Sequence, residues 1–216
     1  MRTAFHRVIA IDGPAASGKS SVARELARRL GFIYVNSGAI YRAITRYVLQ
    51  HGVDPDDGVR VAQTVESADI SCGLENNESR ILIDDVDPTD HLREDRVNEA
   101  VSRVSSVPQV RQILVAKMRS YACNHDLVME GRDIGSVVFP HTPYKFYIDA
   151  SPAVRLRRRA AQGQRDEIAA RDRADSSRRA SPLIIAEDAH VIDSSNLTIE
   201  GVVAEILNRL KLKGLK

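Results

Sequence analysis

Residues 13–20 read Gly-Pro-Ala-Ala-Ser-Gly-Lys-Ser, a full match to the spacing G-x-x-x-x-G-K-[ST]. The pattern constrains a fold strongly because it works only between a buried strand and the start of a helix. Both flanks fit. Val8-Ile9-Ala10-Ile11 precedes it as a continuous apolar run, and Val22, Ala23, Leu26, Ala27 and Leu30 follow at helical spacing. Gly13 and Gly18 allow the backbone to curl around phosphate oxygens where a Cβ would obstruct it. Free amides at the helix start, with the positive end of its dipole, favour a polyphosphate. Gly13, Pro14, Ala15, Ala16, Ser17, Gly18, Lys19, Ser20 and Ser21 are therefore the candidate cradle for a nucleoside triphosphate. Lys19 is expected to stand exposed in a cleft, bonding only the β- and γ-phosphates, and the Ser20 hydroxyl to ligate Mg²⁺.

A chain of 216 residues suffices for one domain with a substantial core and a small inserted lobe. Its formal net charge of +2 does not indicate a general nucleic-acid coat. Charge is concentrated instead: Arg155 to Arg179 holds nine arginines against Asp166, Glu167, Asp172 and Asp175. Such a segment seeks polyanions or is a solvated helix face. Cys72 and Cys123 form neither a metal-ligand spacing nor a disulfide framework, which points to a reducing compartment. With no secretory signal before the first strand and no apolar stretch near the roughly 20 residues of a membrane span, a cytoplasmic protein is expected.

Five short apolar runs predict buried parallel strands: 8–11, 32–35, 127–129, 145–148 and 191–192. Helical patterns separate them, which predicts an α/β fold with a five-stranded parallel core and helices on both faces. About ninety residues divide the second run from the third, far more than one crossover helix needs. Within that gap 68–74 and 80–84 read as strands around a turn at Glu75-Asn76-Asn77-Glu78, and 98–106 and 108–122 read as helices. An inserted lobe over about 53–106 is expected, together with a second irregular stretch over about 162–182 of the kind that forms lids. Thr198 is the expected N-cap of a last helix with Val202, Val203, Ile206, Leu207 and Leu210 as its buried stripe.

Three further clusters follow strand ends, where open α/β sheets place their ligands. In Asn36-Ser37-Gly38-Ala39-Ile40-Tyr41-Arg42, Ser37 can cap the next helix and Arg42 can pair with a phosphate. In Glu130-Gly131-Arg132-Asp133, a sharp turn at Gly131 would let Arg132 and Asp133 face a cleft and read a polar ring; an internal ion pair is the plainer alternative. Glu130 is placed to act on Mg²⁺ through water, or to brace the loop. On a helix Arg171, Asp175 and Arg178 share one face, as a solvated ion-pair row or as arginine forks for transferring phosphate.

Taken together, the phosphate loop, Ser37-Gly38-Ala39-Ile40-Tyr41-Arg42, Gly131-Arg132-Asp133-Ile134-Gly135, Arg171-Asp172-x-x-Asp175-x-x-Arg178 and Asp193-Ser194-Ser195-x-Leu197-Thr198 resemble the bacterial cytidylate kinases. The resemblance runs in order from Val8 to the final helix. It implies a P-loop NTPase fold forming one nucleoside-monophosphate kinase domain over 1–216, with an acceptor-binding lobe and a lid. It implies transfer of the γ-phosphoryl group of ATP to CMP or dCMP with Mg²⁺. Positions matching Ser37, Tyr41 and Arg42 would lie beside the monophosphate. Those matching Ser102, Arg111, Arg132 and Asp133 would line the base, and Arg171, Asp175 and Arg178 would close over sugar and phosphate. Lys19, Arg155, Arg158 and Arg178 are the candidate catalytic cations. Glu130 stands where some members carry Asp. A monomer acting on small molecules, with no nucleic-acid or membrane partner, is the corresponding expectation.

Two rivals make different demands. Another small-molecule kinase of the same fold would keep the phosphate loop without the paired S-G-A-I-Y-R and G-R-D-I-G segments. A nucleic-acid-binding ATPase would interleave aromatics with its arginines for base stacking, and 153–182 contains none.

Overall fold

The computed structural model describes residues 6–161, 173 and 183–215. Arg171, Asp175 and Arg178 lie outside them, as does the expected lid over 162–182 apart from Arg173. In chain order the elements are β1 (Val8–Asp12), α1 (Lys19–Leu30), β2 (Ile33–Asn36), α2 (Ser37–Gln50), α3 (Gly58–Glu66), β3 (Ile70–Glu75) and β4 (Glu78–Ile83). Then follow α4 (Asp95–Val104), α5 (Pro108–Tyr121), β5 (Leu127–Gly131), β6 (Tyr144–Asp149), α6 (Pro152–Ala161), β7 (His190–Asp193) and a last helix, α7 (Ile199–Leu212). They form two compact units, Met1–Val35 with Tyr121–Lys216, and Asn36–Ser120.

The first unit carries five strands in the order β2-β5-β1-β6-β7. The pairs β1/β5, β1/β6 and β6/β7 are parallel, with Asp12 level with Gly131 on one side and Tyr147 on the other. Every residue of β1 and β5 is buried, which is why these strands read as continuous apolar runs rather than alternating ones. On one face Ile9, Ile11, Val128, Phe146 and Ile148 pack with Val22 and Leu26 of α1 and Val203 and Ile206 of α7. On the other, Ala10, Leu127 and Met129 are equally buried, so both faces are covered.

Helix ends follow local chemistry. Gly31 stops α1 in the left-handed region (φ 68°) and donates its N–H to the Ala27 carbonyl. Thr198 caps α7 as expected, accepting from the Gly201 N–H at 3.1 Å. The cap of α2 is a correction: Asn36, not Ser37, accepts the Ala39 N–H, at 2.9 Å, and Ser37 is the first helical residue. The Asn36 carboxamide reaches the third amide where the shorter Ser37 hydroxyl, already inside the helix, cannot.

In the second unit β3 and β4 pair antiparallel around Asn76 and Asn77, whose φ values of 52° and 61° give the two-residue turn that asparagine tolerates. This hairpin adds two strands to the five expected from the apolar runs. Helix α4 starts three residues before the Asn98 read from the sequence, at Asp95.

Candidate active site

The phosphate loop joins β1 to α1 through three positive-φ residues, Gly13 (155°), Ala16 (59°) and Gly18 (92°). Gly18 precedes α1 with no side-chain cap, so the first amides of the helix face outward toward an anion. Gly13, Pro14, Ala15, Ser17 and Lys19 are buried, Ala16 and Gly18 half-buried, and Ser20 and Ser21 exposed. Lys19 departs from expectation. It is 6% exposed, and its ammonium donates to the Pro14 carbonyl at 3.0 Å, folded back over its own loop. A strongly hydrated cation withdrawn from water needs an acceptor, and the Pro14 carbonyl supplies one.

The Ser20 hydroxyl donates to Glu130 Oε1 at 2.8 Å, and the Tyr34 hydroxyl approaches the same oxygen at 3.3 Å. Glu130, at 3% exposure, thus stands against the loop serine from the end of β5. A hydroxyl beside a carboxylate is an all-oxygen donor set that suits Mg²⁺. Among the described residues no group of three or more His, Cys, Asp or Glu side chains converges on a metal position. An ion here would draw most of its shell from phosphate and water, as Mg²⁺ at triphosphates does.

The chain does not turn at Gly131, which ends β5 in register with Asp12. Reversal comes in a single π turn over Ile134–Val138, where Val137 and Val138 both donate to the Asp133 carbonyl. Arg132 Nη1 donates to the Gly13 carbonyl at 3.0 Å, and Asp133 is 4% exposed. Asp12, 6% exposed, accepts the Ile134 and Gly135 N–H groups on its two oxygens, each at 2.8 Å. Burial pushes the Asp12 carboxyl up to about 7, against the pull of those amides and of Lys19; Asp133 adds to the push. Its ordinary value is 3.8, so between about pH 4 and pH 7 the folded chain binds a proton that the unfolded chain releases. Stability from this group therefore falls as pH rises across that window and is lost above 7. Denaturant unfolding of wild type and Asp12→Asn should show the wild type losing ground to the variant between pH 4 and pH 8. A pH-independent difference would mean Asp12 is ionised throughout.

Two of the four α6 arginines, Arg155 and Arg158, turn toward the loop. Arg155 donates to Ala150 and Ala15 carbonyls at 3.1 and 3.4 Å. Arg158 donates to the Ser17 carbonyl and Ser194 Oγ, both at 3.0 Å, and to the Ser194 carbonyl at 2.8 Å. Ser194 Oγ itself donates to the Ser17 carbonyl at 2.8 Å.

The second unit groups its own candidates. Ser37, Tyr41 and Arg42 stand on the first turns of α2, Ser102 on α4 and Arg111 on α5. The Arg111 guanidinium lies 5.4 Å from the Tyr41 ring centre and donates to the Ser105 carbonyl at 3.2 Å. Arg42 Nε reaches Asn98 Oδ1 at 3.4 Å, and a Cβ at Gly38 would stand 3.0 Å from Arg42 Nη1. Sequence reasoning gave no role to Asp12, Asn98 or Ser194, although Ser194 lies in the 193–198 segment that carries the resemblance. Asp12 left a signal of its own, a charged residue closing an apolar strand run.

The sequence model of the family described as cytidylate kinase matches residues 9–212. The chain is similar to a cytidylate kinase from Caldanaerobacter subterraneus subsp. tengcongensis, 41% identical with 94% of each chain covered. It is also similar to one from Rhodococcus opacus, 43% identical with 93% of each covered. Among solved structures it is similar in fold to a gluconokinase from Sinorhizobium meliloti 1021, at 13% identity and a TM-score of 0.51, covering 97% of this chain and 94% of that one.

Proposed function

The chain belongs to the cytidylate kinase family, and from that premise we propose that it transfers the γ-phosphoryl group of ATP to CMP or dCMP, giving ADP and the nucleoside diphosphate. The observation that carries the reading is the joint presence of an uncapped phosphate loop and the Arg132–Asp133 pair anchored beside it. Phosphoryl transfer asks for alignment and charge neutralisation rather than a covalent intermediate, so no general base is assigned.

In this scheme the amides of 13–21 hold the donor phosphates. Lys19 leaves the Pro14 carbonyl for the β- and γ-phosphate oxygens, a stronger, charge-assisted partner. Ser20 would hold Mg²⁺, with Glu130 behind it, and the ion would neutralise charge on the bridging phosphates. Ser37, Tyr41 and Arg42 receive the acceptor phosphate. Asp133 and Ser102 accept from the cytosine amino group, and Arg111 and Arg132 donate to the ring acceptors. Uracil reverses donor and acceptor there, costing about 1–3 kcal/mol for each mismatched buried group. Arg171, Asp175 and Arg178 cover sugar and phosphate, Arg155 and Arg158 add positive charge beside the loop, and 53–106 and 162–182 serve as acceptor lobe and lid. Exclusion of water by that lid would suppress ATP hydrolysis. We place the enzyme in the cytoplasm as a monomer. Among the described residues no helix is long and apolar enough to cross a membrane.

ADP release measured with CMP, dCMP, UMP and AMP in turn tests the reading: CMP and dCMP should be the fast acceptors, and equal rates with UMP would overturn the base assignment. Arg178→Ala should lower kcat/KM about a hundredfold, roughly the 3 kcal/mol of a lost charge-assisted phosphate contact. Normal activity in that variant would remove Arg178 from the scheme.

A further inference from the structure

Asp12 is a buried acid that the phosphoryl-transfer scheme leaves without a role. Its backbone continues directly into Gly13, the first residue of the phosphate loop, and its side chain points the other way, to the turn after β5. Two links of opposite sense join these segments. Asp12 accepts from Ile134 and Gly135, and Arg132 donates back to the Gly13 carbonyl. Asp133, between them, is held from its far side as well, because its carbonyl receives the Val137 and Val138 N–H groups at 2.9 and 3.1 Å.

We propose that Asp12 is a positioning residue for acceptor recognition, one that holds the Arg132–Asp133 pair in register with the phosphate loop. The inference rests on the reading that Arg132 and Asp133 meet the cytosine ring.

Above about pH 7, where Asp12 is ionised, the chemistry calls for a carboxylate, and the kinetic constants below are those read at about pH 8. Two consecutive amides present two N–H donors, and Asp12 answers with one oxygen for each. Asparagine has one carbonyl oxygen, and its NH₂ would face an N–H donor head-on, leaving a buried amide unpaired. The seat is tight as well. A Cβ at Gly135 would stand 3.4 Å from Asp12 Oδ2 and 3.1 and 3.2 Å from two Lys145 methylenes. The amides cannot retreat from the carboxylate without moving the residues that precede them, Arg132 and Asp133.

A plain structural brace would lower the melting temperature and leave the kinetic constants alone, or raise KM for both nucleotides together. A positioning residue acts on one. Asp12→Asn should raise KM for CMP about tenfold or more, keep KM for ATP within about threefold, and narrow the CMP-to-UMP ratio of kcat/KM. Equal rises in both KM values, or a folded variant with wild-type KM for CMP, would overturn the proposal. An inactive wild type would instead overturn the underlying reading, so the two failures are distinguishable. Should Asp12→Asn not fold, the wild type still decides. The Ile134 and Gly135 amide resonances should shift on adding CMP alone. Resonances that CMP leaves unmoved overturn the proposal.

Discussion

Lys19→Ala should lower kcat/KM for phosphoryl transfer by about a thousandfold or more while the chain still melts cooperatively. The lost group is a charge that meets the β- and γ-phosphates as negative charge shifts between them, and such groups act most strongly on the transition state. The structural cost is smaller. Lys19 is buried and donates to the Pro14 carbonyl, so truncation leaves that carbonyl unpartnered by the ammonium, at about 1–3 kcal/mol. For a chain of 216 residues this is a fall of a few degrees in Tm. Turnover near that of the wild type would dismiss the phosphate loop as the donor site. Complete unfolding would show that Lys19 holds more of the loop than its bond to Pro14 suggests.

Gly13→Ala should be still more damaging, and for a different reason. A Cβ at residue 13 would lie 2.1 Å from the Ile148 carbonyl oxygen and 3.1 Å from its carbon, on a backbone with φ at 155°. Ile148 cannot step aside, because β6 is hydrogen-bonded to β1 on one side and β7 on the other. The expected loss exceeds about 4 kcal/mol, in the range reserved for clashes with immovable backbone. Gly31→Ala makes the comparison. Residue 31 is also left-handed, at φ 68°, but nothing lies within 4 Å of its missing Cβ, so that substitution should cost only about 1–2 kcal/mol. Urea unfolding of the two variants measures the difference. Similar midpoints would mean that the β1–β6 spacing yields far more readily than its pairing implies.

The parallel core was legible because burial on both faces leaves no room for polar residues in β1 or β5, and an apolar run bounded by a glycine turn has few other meanings. The β3–β4 hairpin was legible from Asn76-Asn77, where two left-handed residues in succession favour asparagine. Helix starts were less so. Asn36 and Ser37 are both good caps, and which one stands outside the helix depends on where β2 stops, which is a matter of tertiary pairing. The site was readable where chemistry and chain spacing coincide, as in 13–20. It was opaque where partners come from distant sequence. Asp12 meets residues 134 and 135, Ser194 meets Ser17, and Arg42 meets Asn98, and no local pattern encodes such meetings. Lys19 was misjudged for a related reason: its spacing fixes where the side chain starts, while burial decides what it bonds.

The arginines of α6 carry a consequence for anyone who would move this loop elsewhere. Arg158 and Ser194 pull the Ser17 carbonyl toward the protein, and Arg155 pulls that of Ala15. A peptide plane has two ends, so each carbonyl drawn inward swings the following amide outward. The anion-binding face is thus set by contacts on its reverse side, made by residues some 140 to 180 positions along the chain. The eight-residue motif, grafted between a strand and a helix that lack these partners, would carry the right letters and an unfixed shape. It would have to order itself around each incoming triphosphate, with affinity reduced by the entropy of that ordering.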